Sequence, residues 1–129
     1  MGYILREKEE VIITEFVGPG PAAKHKHNSF VPDYIWQNEE CGKIYDQTNG
    51  LITYIGDWHT HPDNLTDLSQ LDINALCKIS EHKEANCVNP IMLIMGNHKC
   101  TVVDVYQLLD YSKPMMIENF DFEGVNAKV

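Results

Sequence analysis

Apolar residues come in short bursts along this chain, and the spacing inside each burst decides the element it predicts. GYIL (residues 2–5) and EVIITEFV (10–17) are apolar runs separated by the charged stretch REKEE, the pattern of a β-hairpin reaching the first residues. GPGPAAKHKHNS follows, and its alternating glycines and prolines sustain neither helix nor strand, so it reads as a loop. From residue 32 to about 48, apolar side chains recur at Tyr34, Ile35, Cys41, Ile44 and Tyr45. With Pro32 in the first turn and Asn49-Gly50 at the exit, this spacing predicts an amphipathic helix. LITYIGDW (51–58) is rich in β-branched and aromatic residues and predicts a buried strand. A second helix is expected from Ser69 to about Ala85, with Leu71, Ala75, Leu76 and Ile79 facing inward. PIMLIMG and TVVDVYQLL make a strand pair turned at Gly96-Asn97, and a weak strand follows from Pro114, with FDF (120–122) near the end. The order β-β-α-β-α-β-β predicts an α/β fold, a mixed sheet flanked by helices, in one domain over residues 1–129.

Composition narrows the function. At 129 residues and 43% apolar, the chain suits one compact core. Nineteen acids against ten Lys and Arg leave a formal charge of −9, which argues against nucleic acid as a partner, since that affinity comes mainly from neutralising phosphates. The KHKH cluster (24–27) is too short to reverse this. No apolar run approaches the roughly 20 residues that span a bilayer, and the N-terminus turns acidic too early for a secretory signal. A soluble, cytoplasmic protein is therefore expected. Cys41, Cys77, Cys87 and Cys100 contain no CxxC pair and are expected as reduced thiols, mostly buried or half-buried.

The chemistry is concentrated in GDWHTHPDNLTDLSQLD (56–72). Residues two apart on a strand share a face, so His59 and His61 present two imidazoles side by side. Pro62 ends the strand, and seven residues separate His61 from Ser69, enough for a loop that returns a helix to the same place. On that helix Ser69 and Asp72 are three apart and share a face. Two imidazoles and a carboxylate are three ligands, which leave one open position on a tetrahedral zinc, the count of a catalytic site. Ser-x-x-Asp before an apolar run is equally a capping box, and the two roles are compatible. His25 and His27 repeat the HxH spacing without a strand end or a carboxylate behind them, and read as a solvated loop.

HTHP, six residues, then S-x-x-D resembles the signature of the JAMM/MPN+ (JAB) metalloproteases, and GPGP, NSFVPD and YIGDWHTHP extend the resemblance over nearly the whole chain, to the small bacterial branch of that family. The resemblance implies a JAB/MPN, cytidine-deaminase-like fold. It implies that His59, His61 and Asp72 ligate one zinc ion, with water in the fourth place, and that Ser69 hydrogen-bonds the oxyanion. It also implies cleavage of peptide or isopeptide bonds at the C-terminal end of ubiquitin-like, sulfur-carrier or conjugated proteins, as in the deconjugating proteases of antiphage systems.

The family also uses a glutamate as general base and acid. In relatives it opens the first strand, in a pattern like Glu-x-Gly-Gly, usually after a helix. Here Gly2 takes the place of the second glycine and Met1 of the first, so the glutamate is expected two residues before Met1, and a fold without the usual N-terminal helix is expected for residues 1–129. Glu7, Glu9 and Glu10 read as a solvated turn, Glu15 as an edge position, and Glu39 and Glu40 as the outer face of the first helix. Two readings stay open: a protease whose glutamate lies upstream, or a zinc-binding interaction module of weak activity, since losing a general acid/base costs about 10²–10⁴ in rate. Trp58 reads either as a shield over the metal or as core, Asp57 as an acceptor supporting a ligand histidine, and KHKHNSF as a mobile edge over the cleft or a plain surface loop.

Overall fold

The computed structural model describes residues 1–5, 10–26, 29–61, 65–96, 102–109, 113–117 and 126–128. Outside them lie the turn positions Glu7 and Glu9, His27, Pro62, Asn97, Cys100 and the FDF segment. The chain forms two compact units, Met1–Tyr54 with Phe122–Val129, and Ile55–Asp121.

In the first unit the expected hairpin forms. β1 (Gly2–Leu5) pairs antiparallel with β2 (Glu10–Ile13), from Gly2 opposite Ile13 to Leu5 opposite Glu10. β3 (Glu15–Val17) continues the apolar run after Thr14 and pairs in parallel with β10 (Asn126–Lys128). Glu15 stands on one of the two strands described in its sheet, an edge position, but it is half-buried there, and its Oε2 is shielded from solvent with no hydrogen-bond partner. The stretch read as a loop contains a second hairpin, β4 (Lys24–Lys26) with β5 (Ser29–Val31), where the His25 ring lies 4.9 Å from that of Phe30. Glycine and proline stop before Lys24, so nothing in residues 24–26 opposes an extended backbone.

Helix α1 (Tyr34–Gln47) begins after Asp33, whose carboxylate accepts from Trp36 N at 3.2 Å, so Asp33 is the cap and Pro32 lies outside the first turn. Its exit is the left-handed pair Asn49-Gly50, with φ of 51° and 77°. Only part of the expected inner face is inside. Ile44 joins Met1 and Ile52 in a small core with Tyr3, Val17 and Cys41 against it, while Tyr34, Ile35 and Tyr45 are exposed. Glu39 is exposed, and Glu40 pairs with Lys43 at 2.5 Å.

The second unit holds a four-stranded mixed sheet, its order β6 (Gly56–His61), β7 (Ile91–Gly96), β8 (Val102–Leu108), β9 (Pro114–Met116). β6 (Gly56–His61) and β7 (Ile91–Gly96) are parallel, and such a pair needs a crossover, supplied by α2 (Gln70–Glu81) and a 3-10 turn (Lys83–Ala85). β8 (Val102–Leu108) returns antiparallel to β7, and β9 (Pro114–Met116), the weak strand expected from Pro114, follows on β8. The mixed sheet of the sequence reading is thus this one, while β1 pairs with β2, β3 with β10 and β4 with β5. The second helix stops short of Ala85 because His82 takes an extended conformation. Leu76 is fully buried and packs on Met92, Ile94 and Leu108, with Ala75 against them. Truncating Leu76 to alanine would cost about 2–5 kcal/mol. Leu71, expected inside, is 80% exposed.

The third strand was expected over residues 51–58, but it begins at Gly56 and runs on to His61. Gly56 explains the shift. Its φ is +151°, and a Cβ there would lie 2.0 Å from the Ile91 carbonyl oxygen. Only glycine lets β7 come this close, and that approach sets the register placing His59 beside Ile94 and His61 beside Gly96.

Candidate metal centre

Strand alternation puts His59 and His61 on one face of β6, the face on which α2 packs, because His59 pairs with Ile94 and Ile94 touches Leu76. Trp58 therefore points to the other face, in register with Leu93, and does not shield the histidines. The chain leaves β6 at His61 and re-enters regular structure at Ser69, the cap of α2. Ser69 Oγ accepts from Asp72 N at 3.2 Å, and Ser69 N donates to Asp72 Oδ2 at 2.8 Å, a complete capping box. This places Asp72 in the first turn, where a carboxylate is favoured, with its other oxygen facing the strand.

His59, His61 and Asp72 converge: His59 Nε2 is 3.0 Å from His61 Nε2 and 3.4 Å from Asp72 Oδ1, and one ligand atom from each lies within 4.8 Å of the others. Ligands about 2.05 Å from a tetrahedral zinc are about 3.3 Å apart, so two of the three edges already have the right length. Proton bookkeeping points the same way. His61 Nδ1 lies 2.5 Å from the Leu65 carbonyl oxygen, which takes the ring proton on that side and leaves a lone pair at Nε2. Two acceptors, His61 Nε2 and Asp72 Oδ1, thus crowd His59 Nε2, which has at most one proton to share between them. A cation satisfies all three. Burial holds His59 below the ordinary histidine value, against the raising influence of Asp72 and Asp57, and so favours the neutral form that binds metal. Asp57 shares this face of β6 and acts on His59 through its charge.

Ser69 Oγ also donates to Asp72 Oδ2 at 2.6 Å. Its one proton is directed at the carboxylate, so Asp72 has one oxygen held by Ser69 and one turned to the histidines. Sequence reasoning missed what anchors the loop. Thr66 is buried, its hydroxyl donates to the Asp104 carboxylate, and its carbonyl oxygen accepts from Tyr106 OH at 3.0 Å. These partners lie 38 and 40 residues away, beyond any local pattern. Among the described residues this is the one His/Cys/Asp/Glu group with metal-binding geometry.

No family model matches the chain. A probable metalloprotease of Sinorhizobium fredii is 33% identical over 96 residues, 74% of this chain and 58% of that protein. A CD-NTase/cGAS isopeptidase of Escherichia coli is 29% identical over 70 residues, 54% of this chain and 45% of that protein. A CD-NTase/cGAS isopeptidase of Enterobacter hormaechei is 33% identical over 45 residues, 35% of this chain and 25% of that protein. The chain spans about half the length of the first two relatives. At this modest identity, the names support a protease/isopeptidase family, and the His-His-Asp cluster suggests a bound metal ion. No helix among the described residues is long and apolar enough to cross a membrane.

Proposed function

We propose that this chain is a zinc-dependent metallo-(iso)peptidase of the JAMM type with a JAB/MPN fold. Its substrate would be the C-terminal end of a ubiquitin-like, sulfur-carrier or conjugated protein in the cytoplasm, in the manner of antiphage deconjugating proteases. The observation that carries this reading is the convergence of His59, His61 and Asp72 on one point at the end of a strand. The metalloprotease and isopeptidase names of the relatives support the reaction class, and the acidic balance supports a protein partner over nucleic acid.

In this reading His59 and His61 hold the ion through Nε2 and Asp72 through Oδ1. A zinc ion there would supply Lewis-acid polarisation of the scissile carbonyl and lower the pKa of a water toward neutrality. The Leu65 carbonyl keeps His61 in the tautomer whose Nε2 is a ligand. The capping box keeps Asp72 from turning away. Ser69 Oγ, on rotating its proton off Asp72 Oδ2, becomes a donor for charge developing on the substrate carbonyl oxygen, a contact worth about 10²–10³ in rate where one such donor has been removed.

One observation bears on the second reading, a zinc-binding interaction module of weak activity: neither described glutamate of the second unit reaches the metal ligands. The described glutamates of the second unit are Glu81 and Glu84, at the far end of α2 and beyond it. Nine residues of helix put Glu81 about 14 Å along the axis from Asp72, too far to serve as general base. The test is a C-terminally extended ubiquitin-like protein incubated with the zinc-loaded chain, with Asp72→Asn as control. Cleavage lost in the control supports the peptidase. Zinc bound without cleavage moves the conclusion to the interaction module, and absence of both refutes the two together.

A further inference from the structure

We infer that Thr66, Asp104 and Tyr106 are positioning residues for the metal centre, a clamp that holds His61 in its ligand orientation from two strands away. The inference rests on the proposed metal reading.

Asp104 and Tyr106 alternate onto one face of β8, opposite Ile94 and Met92, and His59 pairs with Ile94 from the other side. Clamp and ligand histidines therefore share one face of the sheet, with Asp104 and His59 in the same row about 10 Å apart. Thr66 is 6% exposed and is the one buried polar or charged residue among the described residues. Both its side chain and its carbonyl are tied to β8, the first to Asp104 and the second to Tyr106. The Leu65 carbonyl that accepts from His61 Nδ1 belongs to the peptide unit whose nitrogen is that of Thr66. A peptide unit is planar, so holding Thr66 by its side chain and carbonyl fixes the nitrogen end of that unit, and rotation about the Thr66 N–Cα bond is the freedom that the His61 hydrogen bond then takes up. Three residues later the same segment reaches Ser69, which holds Asp72. One anchor thus bears on two of the three ligands, on His61 through the Leu65 backbone oxygen and on Asp72 through the segment that ends at Ser69.

A buried threonine that only stabilises the loop would lower the melting temperature and leave metal affinity alone. A positioning residue moves affinity, because loss of an outer partner of a ligand typically costs about 10–100-fold in binding. The experiment is zinc affinity by competition with a chromophoric chelator, on the 129-residue chain and on Thr66→Val, Thr66→Ser, Asp104→Asn and Tyr106→Phe. Thr66→Val should weaken zinc about 10–100-fold, Thr66→Ser should restore it, and Tyr106→Phe should weaken it in the same direction. Long-range proton–nitrogen NMR of the metal-free chain should show His61 protonated at Nδ1, and a mixture of tautomers in Thr66→Val. Should Thr66→Val fail to fold, Tyr106→Phe carries the test, since it removes a single hydrogen bond. Zinc bound equally by chain and folded variants overturns the clamp and leaves the metal reading standing. No zinc on the parent chain overturns both.

Discussion

Ser69→Ala separates three roles that fall on one hydroxyl. The substitution removes the acceptor for Asp72 N at 3.2 Å and the donor to Asp72 Oδ2 at 2.6 Å, and leaves the 2.8 Å bond from Ser69 N to Asp72 Oδ2. Loss of an N-cap side chain costs about 1 kcal/mol, and in a chain of this size that lowers the melting temperature by roughly 3–5 °C. Asp72 keeps one of two restraints on its Oδ2, so zinc affinity should fall by about tenfold, the low end for losing an outer partner. Turnover at saturating zinc should fall further, by about 10²–10³, if the hydroxyl also serves the carbonyl oxygen. The assays are thermal unfolding of the metal-free protein, chelator competition, and cleavage rate at full zinc occupancy, each repeated with Ser69→Thr, which keeps the hydroxyl. An unchanged melting temperature in the metal-free alanine variant would refute the capping argument, and with it the stated reason for the position of Asp72.

Two further outcomes follow from the second unit. Gly56→Ala places a methyl group 2.0 Å from the Ile91 carbonyl oxygen at a φ of +151°. It should cost about 3 kcal/mol or more, and an unchanged urea midpoint would show that the β6–β7 register does not depend on this glycine. Burial, with Asp57 adding to it, pushes the Cys87 thiol up to about 11, so at pH 8 only about one molecule in a thousand carries the reactive thiolate. Alkylation mapped by mass spectrometry should spare Cys87 in the folded protein, and labelling as fast as in the denatured chain would contradict its burial.

The centre was legible in the sequence because its parts are local. Alternation over three residues aligned His59 with His61, and a three-residue spacing paired Ser69 with Asp72. What escaped was decided elsewhere in the fold. The apolar residues 51–55 looked like the strand, yet the strand waits for Gly56, where the backbone of Ile91 makes its close approach. The hairpin of β4 and β5 is exposed throughout, so no alternation of apolar and polar residues marked it. Tyr34 and Ile35 fit a helical stripe but sit in the first turn of α1, where they remain exposed. Thr66 gave no signal because its partners arrive with β8.

The most direct test of the metal centre is X-ray absorption at the zinc edge on the purified, zinc-loaded chain. Two imidazole nitrogens with oxygen ligands at about 2.0–2.1 Å, reduced to one imidazole in His59→Ala, is the predicted spectrum. Sulfur scattering at about 2.3 Å, or a spectrum indifferent to His59, would place the ion on other residues and contradict the account.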